Sequence, residues 1–147
     1  MTDTTMKAGV PWHLWAVGVL SLMWNGYGAY DFVMSMLQGE AYWRASGLSE
    51  SMIAHYSAMP GWMMIAWIAG VWGALLGSIL LLLRMKWAFH AFVVSLFGAL
   101  ASVIYTYLLS DGAAALGPMA IMPVVIAAIA LFLAWYASML SGKGVLR

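Results

Sequence analysis

Long apolar runs alternate with short polar segments along the whole chain. The runs cover residues 12–37, 61–83, 87–110 and 119–140, and the segments between them hold nearly every charged residue. Each run exceeds the roughly 20 residues that a helix with a rise of 1.5 Å per residue needs to cross the hydrocarbon of a bilayer. The pattern therefore predicts a single all-α domain over residues 1–147, an integral membrane four-helix bundle.

Composition agrees with a membrane location and excludes several functions. Hydrophobic residues make up 65% of the chain and charged residues 7%, whereas charged residues are about a quarter of a soluble domain. The net charge of +1 offers no basic surface for nucleic acid, and the lack of cysteine removes disulfides, thiolate metal ligands and thiol nucleophiles. Four spans use nearly all of the 147 residues, so we expect no soluble catalytic domain and no enzyme activity.

The basic residues predict the orientation in the membrane. Arg84 and Lys86 lie in the tight turn between the second and third runs, and Lys143 and Arg147 follow the fourth run. An excess of Lys and Arg near span ends marks the cytoplasmic side, while acidic residues such as Asp111 count for little. We therefore expect both termini in the cytoplasm, as an even number of spans also requires.

Residues 38–60 form the longest predicted external loop. Ser49 is a suitable N-cap for a short helix through Tyr56, and Met52, Ile53 and Tyr56 would share one face of that helix. A short helix of this kind is typical of the membrane interface. Two interpretations stay open at this stage, a lid over an outward-facing cavity and a passive helix on the membrane surface.

Small residues recur at three- or four-residue spacing in each run. This spacing predicts close packing of the helices, because lipid gives helices no hydrophobic reason to associate and close approach does much of that work. The glycines of these stripes are the predicted packing residues: Gly28, Gly70, Gly73, Gly77 and Gly98. Gly73 and Gly77 also form a G-x-x-x-G pair, and an exposed face there would supply the contact of a homodimer.

Polar groups inside the apolar runs are the candidate functional residues, because burying them in a membrane is costly unless they are paired or hydrated. Asn25 is predicted near the membrane centre, where it either forms a structural hydrogen bond with the third span, near Ser102, or lines a solute path. Asp31 lies further out, either paired with Arg44 or Tyr105 or acting as a proton-coupled carboxylate. The predicted substrate or proton path comprises Asn25, Asp31, Ser102 and Tyr105.

Two histidines lie about one turn inside the predicted cytoplasmic face. His13 is in the first run and His90 is in the third. Two imidazoles at one level are candidates to ligate a haem or a metal ion, and the alternative is a pair of ordinary interfacial histidines. Because the sequence does not show that they converge, we expect no metal and no cofactor.

Four segments carry a resemblance to a known group of proteins: PWHLW at 11–15, WNGYGAYDF at 24–32, PGWMMIAWIAGVWGALLGSILLLLR at 60–84 and SVIYTYLLSDG at 102–112. On these segments the chain resembles small, uncharacterised four-span inner-membrane proteins of Gram-negative bacteria, some of which are labelled sugar transporters. The resemblance covers almost the full length and implies a location in the bacterial cytoplasmic membrane. It carries no functional residues with it.

The sugar label draws attention to aromatic residues within the runs. Trp24, Tyr27, Trp67 and Trp72 are candidates to stack on a pyranose ring, and they would equally well face lipid. Lipid anchoring is the more usual role of aromatic residues in membrane proteins.

Three functional hypotheses follow, and all place the chain in a lipid bilayer. The first is a small transport or permease-like protein that acts as a homo-oligomer on a small solute of unknown identity. The second is a non-catalytic accessory subunit of a larger membrane complex. The third is a haem-binding membrane protein that uses His13 and His90.

Overall fold

The computed structural model of the protein describes residues 9–147, so the N-terminal tail that is predicted to be cytoplasmic lies outside the described residues. Regular structure from residue 9 onwards is helical throughout. The α-helices in chain order are α1 (Trp12–Gln38), α2 (Glu40–Ala45), α3 (Glu50–Ser57), α4 (Gly61–Leu82), α5 (Trp87–Ile104), α6 (Gly112–Leu116) and α7 (Ile121–Gly142). A π-helical turn, Tyr105–Leu109, extends α5, and a 3-10 turn, Gly117–Ala120, precedes α7.

Three segments of the described chain are long and apolar enough to cross a membrane: Gly61–Leu82, Trp87–Leu109 and Gly112–Gly142. They correspond to the second, third and fourth predicted spans. The helix α1 is longer than α4, at 27 residues, but polar residues such as Asn25 and Asp31 make it less apolar. The chain is therefore an all-helical protein with three candidate membrane-spanning helices.

The sequence explains where several helices begin. Ser49 caps α3, as predicted, because its hydroxyl accepts a hydrogen bond of 3.3 Å from the backbone N–H of Met52. Pro60 stands directly before α4. Pro123 is the third residue of α7, in the first turn, where the backbone N–H groups have no partner within the helix and proline is tolerated.

The four long helices stand in a row rather than in a closed ring. The helix α4 packs against α1 on one side and α5 on the other, and α5 packs against α7. The outer helices of the row, α1 and α7, meet where His13 forms a hydrogen bond with Tyr136, and a cavity that both helices line lies toward the other end. The predicted compact bundle is therefore open on the side between α1 and α7.

Different parts of the chain close the two ends of the row. We call the end that carries residues 83–86 and the C-terminal tail the turn end, and the end that carries residues 39–60 and α6 the loop end. At the turn end, Leu14, Leu81, Phe92, Leu140 and Leu146 form part of one buried core to which all four long helices and the tail contribute. The tail is also tied to the turn by backbone hydrogen bonds.

Those hydrogen bonds join the last residue of the chain to both sides of the turn. The N–H of Arg147 donates to the carbonyl of Arg84 at 2.8 Å, and the N–H of Lys86 donates to the carbonyl of Arg147 at 2.9 Å. The guanidinium of Arg84 donates to the carbonyl of Val145 at 3.2 Å. The C-terminal tail is therefore an ordered part of the turn end.

Glycines let α4 and α5 approach closely. A Cβ atom added to Gly98 would lie 2.5 Å from the carbonyl oxygen of Ala66, and one added to Gly73 would lie 3.0 Å from the carbonyl oxygen of Ala91. One added to Gly77 would lie 2.6 Å from the ring of Phe92. Since α5 covers Gly73 and Gly77, the prediction that they offer an exposed face to a second copy is wrong.

Gly70 lies in the same contact, and Gly28 does not. A Cβ on Gly70 would meet the backbone of Ser95, Gly98 and Ala99 at 3.7–3.8 Å. A Cβ on Gly28 would have no atom within 4 Å, because this glycine borders a cavity between α1 and the rest of the row. The prediction of a packing role for Gly28 is therefore wrong.

Candidate functional site

A cavity of about 520 Å³ occupies the loop end of the row, which is within the range of about 300–1,000 Å³ that is usual for small-molecule sites. All four long helices line it, and its surface is mostly apolar. The apolar side chains of the wall come chiefly from α4 and α7: Met63, Ala66, Trp67, Val71, Ala74, Met122, Pro123, Ile126, Ile129, Ala130 and Leu133. Residues of α2, α3 and α6 form its roof.

Asp31 stands on the α1 wall of this cavity and is partly buried. Its carboxylate oxygen Oδ1 accepts a hydrogen bond of 2.9 Å from the hydroxyl of Tyr42, which belongs to α2 in the roof. The predicted partners, Arg44 and Tyr105, are engaged elsewhere, so both predictions are wrong. Tyr42 is therefore the residue that connects the carboxylate to the roof.

Arg44 is held on the exposed side of the roof by two glutamates. Its guanidinium contacts Glu40 at 3.1 Å and Glu50 at 2.8 Å. The hydrogen bond and charge of Arg44 lower the pKa of the Glu50 carboxyl below its ordinary value. The positive charge of Arg44 is therefore already neutralised by these two glutamates.

Asn25 lies deeper in the cavity wall, about 9 Å from Asp31 along the helix axis at a rise of 1.5 Å per residue. Its amide nitrogen donates to the hydroxyl of Ser78 at 2.8 Å and to the carbonyl of Ala74 at 3.2 Å. The predicted hydrogen bond to the third span is thus formed with α4 instead. Asn25 therefore joins α1 to α4 and also borders the cavity.

Ser102 and Tyr105 take different positions at the loop end of α5. Ser102 borders the cavity. Tyr105 is buried behind the wall, where its ring lies 5.4 Å from the ring of His55 and 5.7 Å from that of Trp62. The cavity thus brings together Asn25, Asp31 and Ser102 of the predicted path, and Tyr105 supports the wall without lining it.

The roof is hydrogen-bonded to α1 at two points, Tyr42 to Asp31 and Trp43 to Ser35, each at 2.9 Å. It also contacts α6, because the hydroxyl of Ser51 donates to the carbonyl of Ala115 at 2.8 Å. The predicted short helix is therefore present, and its residues His55 and Tyr56 border the cavity.

His55 is the buried polar residue of the roof. It is 9% exposed and borders the cavity. A Cβ on Gly112 would lie 2.8 Å from the imidazole carbon Cε1, so glycine there makes room for the ring. Burial lowers the pKa of His55 below its ordinary value of 6.5, which favours the neutral imidazole at neutral pH.

Two roof tyrosines have a raised pKa. Burial, together with the hydrogen bond and charge of Asp31, raises the pKa of Tyr42 to about 12. Burial and the charge of Asp31 also raise the pKa of Tyr56. Both phenols therefore stay protonated and remain hydrogen-bond donors at neutral pH.

Three of the four aromatic residues that were candidates for ring stacking border the cavity. Trp24, Tyr27 and Trp67 are in its wall, while Trp72 is not. Trp72 contacts Phe32 edge-on, with ring centroids 6.0 Å apart. Trp43 and Tyr56 add aromatic surface from the roof.

The two histidines proposed as a ligand pair do not converge. His13 forms a hydrogen bond with the hydroxyl of Tyr136 on α7. His90 is exposed on a shallow surface between α4 and α5, beside Trp87 and Leu80. The alternative in which His13 and His90 together ligate a haem or a metal ion is therefore not formed, and no cluster of three or more metal-ligating side chains occurs within residues 9–147.

Sequence reasoning missed Tyr42 and His55 as site residues. Both lie in the 39–60 segment, and the sequence gives no periodicity that links this segment to a particular span. The composition carried a weak signal, since this loop has two tyrosines, a tryptophan and a histidine among few charges. Aromatic residues of this kind suit a roof that meets an apolar cavity.

Comparison with protein-family models, with curated proteins and with solved structures finds no match to this chain. The resemblance to four-span inner-membrane proteins therefore stays a prediction from the sequence.

Proposed function

We propose that this chain is a small, non-enzymatic integral membrane protein with four spanning helices, and that it binds a small solute in the loop-end cavity as a step in transport. The observation that carries the proposal is the cavity itself, which is of ligand size and is bordered by Asn25, Asp31 and Ser102. Polar groups placed in the apolar part of a membrane protein commonly mark a solute path.

The division of α1 into two faces supports its role as the first span. Its buried polar residues, Ser21, Asn25 and Ser35, face the other helices. Its opposite face exposes Leu20 and Met23 at 65% and 66%, which suits contact with lipid tails. Its 27 residues extend about 40 Å at 1.5 Å per residue, enough to cross a bilayer.

The orientation and location are further parts of the proposal. Four of the basic residues, Arg84, Lys86, Lys143 and Arg147, gather at the turn end, which we therefore assign to the cytoplasm. The cavity would then open toward the outside, beneath the roof. The resemblance favours the cytoplasmic membrane of a bacterium.

A homo-oligomer, or assembly into a larger membrane complex, stays a prediction. The contact would have to use another surface than Gly73 and Gly77, since α5 covers both. An accessory subunit that transports nothing is the rival function, and it differs in a measurable way, because changes inside the cavity would leave its activity unaltered.

Cysteine accessibility tests the cavity directly, because the chain has no cysteine. We expect Ser102→Cys in reconstituted liposomes to react with a membrane-impermeant methanethiosulfonate reagent added from the loop side. Ser78→Cys, which is fully buried in the contact between α1 and α4, should not react. Equal protection of both thiols from both sides would contradict an open cavity and with it the proposed function.

A matched pair of glycine substitutions tests transport. Gly28→Leu fills the cavity, whereas Gly26→Leu places the same side chain in open space on another face of α1. The measurement is the uptake of radiolabelled glucose or of ethidium into liposomes that contain each variant. We expect Gly28→Leu to lower the uptake of at least one solute to that of protein-free liposomes. Uptake that is identical in both variants would favour the accessory subunit.

A further inference from the structure

The cavity wall carries one charged side chain, the carboxylate of Asp31, among the residues that the structure describes. Only one of its two oxygens takes part in a hydrogen bond with residues 9–147, the bond from Tyr42 to Oδ1. The nearest guanidinium, that of Arg44, is occupied by Glu40 and Glu50. Asp31 therefore brings an uncompensated negative charge to a mostly apolar space.

Aromatic rings line the same cavity as this charge. The wall and roof contribute six of them besides the imidazole of His55: Trp24, Tyr27, Tyr42, Trp43, Tyr56 and Trp67. Rings of this kind attract a cation through the negative charge of their π faces, and the attraction grows when water is excluded. A carboxylate among aromatic rings is therefore suited to an organic cation.

Several hydroxyl groups of the wall and roof are already hydrogen-bonded within the protein. The hydroxyl of Ser95 donates to the carbonyl of Gly70 at 2.7 Å, and that of Ser46 donates to the carbonyl of Tyr42 at 2.9 Å. The hydroxyl of Ser35 already accepts from Trp43. A polyol that enters this mostly apolar space would exchange its bonds to water for fewer bonds to the protein, which is costly, whereas an apolar ligand body requires no such partners.

The open side of the row also favours an apolar ligand body. The helices α1 and α7 diverge toward the loop end, and the residues that flank the opening are exposed: Trp24 at 41% and Tyr27 at 66% on α1, and Ile126 at 42% on α7. In a bilayer this opening faces hydrocarbon. A ligand that dissolves in lipid would therefore reach the cavity without passing the roof.

We propose that the cavity binds an organic cation with an apolar, preferably aromatic, body, and that Asp31 is its counter-ion. This inference rests on the proposed function and names the class of solute. The cationic group lies between the carboxylate and the rings of the roof, and the apolar body extends toward Met122, Ala130 and Leu133. Apolar contact supplies affinity, and Asp31 discriminates cations from neutral molecules.

Binding of three probes to the full-length protein in phosphatidylcholine nanodiscs tests the class. The probes are tetraphenylphosphonium, the neutral analogue triphenylphosphine oxide, and glucose, with empty nanodiscs as the background for calorimetry. We expect tetraphenylphosphonium to bind best. Asp31→Asn should weaken its binding about ten-fold or more, because the charge is lost while an oxygen that accepts from Tyr42 remains.

Two further variants separate the charge from its surroundings. Asp111→Asn removes the same charge at an exposed position outside the cavity and should leave binding unchanged. Tyr42→Phe removes the roof hydrogen bond and keeps the carboxylate, so it should weaken binding less than Asp31→Asn does. If Tyr42→Phe and Asp31→Asn weaken binding equally, placement of the roof and not the charge determines affinity, and the counter-ion assignment fails.

The remaining outcomes distinguish failure of this inference from failure of the proposed function. Equal binding of tetraphenylphosphonium and triphenylphosphine oxide, unaffected by Asp31→Asn but lost in Gly28→Leu, would overturn the cation class and leave a solute-binding cavity. Binding of glucose in preference to the other two probes would also overturn the cation class and leave a solute-binding cavity. If none of the three probes binds and Ser102→Cys does not react, both proposals fail.

Discussion

The turn end and the loop end are built from the same four long helices, yet they pack in opposite ways. At the turn end Leu14, Leu81 and Phe92 are completely buried, and side chains of the C-terminal tail complete the core. At the loop end the outer helices diverge and leave a cavity of about 520 Å³. One end is filled by its own side chains, and the other is covered by a roof.

Connection length explains much of this difference. At the turn end, residues 83–86 join α4 to α5 in a short connection, and the C-terminal tail packs into the core beside it. At the loop end, residues 39–60 are long enough to fold into two short helices that cover a space instead of closing it. The contrast teaches that one set of helices can build a filled core at the turn end and a cavity bordered by polar groups at the loop end.

Leucine truncations at the two ends should give the largest contrast. Leu81 at the turn end is 0% exposed, and Leu116 at the loop end is 3% exposed but borders the cavity. We expect Leu81→Ala to lower the free energy of unfolding by about 3–5 kcal/mol, because it leaves a new void in a filled core. Leu116→Ala should cost about 2 kcal/mol, because it only enlarges a space that already exists.

Unfolding of the two variants by sodium dodecyl sulfate in mixed micelles measures these free energies. Phe97→Ala is a suitable control, because this side chain is 68% exposed on the outer surface of α5 and should change stability little. Equal costs for Leu81→Ala and Leu116→Ala would mean that the two ends are packed alike.

Two glycine substitutions sharpen the comparison on a smaller scale. Gly98→Ala would bring a methyl group within 2.6 Å of the backbone of α4, so the two helices must separate, at a cost of about 1–3 kcal/mol. Gly28→Ala adds the same methyl group beside the cavity and should stabilise the protein by about 0.5–1 kcal/mol, because alanine favours a helix more than glycine does. The same micelle titration measures both. Destabilisation by Gly28→Ala would indicate that the cavity is closed in solution.

Much of the helical framework could be predicted from the sequence. The four apolar runs match α1, α4, α5 and α7 to within a few residues, because the length and apolar character of a helix are properties of a continuous segment. Ser49 was recognised as a cap for the same reason, since capping depends on local sequence. Asn25 was predicted to lie in a helix contact because small residues at helical spacing flank it along one face of α1.

The site could be predicted only in part. Asp31 and Ser102 were identified as polar residues of the spans, but the partner of Asp31 was not, because Tyr42 reaches it through the fold of a loop that has no periodic pattern. Gly28 belonged to a stripe of small residues and yet faces a cavity. Periodicity identifies the inner face of a helix, and it does not tell whether a neighbouring helix or a void lies opposite.

The smallest expected effect concerns the roof. Burial alone lowers the pKa of His55 below its ordinary value of 6.5, so the neutral imidazole is favoured in the folded state. The corresponding stability is complete above pH 6.5 and is lost as the pH falls through the lowered pKa of the folded state. We therefore expect the contact of His55 with Tyr105 and Gly112 to weaken under mildly acidic conditions.

Nuclear magnetic resonance of protein labelled at histidine measures this pKa, and the spectrum of His55→Gln identifies the signal. The titration midpoint of His55 should lie below 6.5, and acidification should increase the reactivity of Ser102→Cys from the loop side, because a charged imidazole must leave the buried roof to regain water. A midpoint at or above 6.5 would show that His55 is hydrated in the folded protein. The roof would then be open at neutral pH, and the loop end would differ from the turn end even more than the structure indicates.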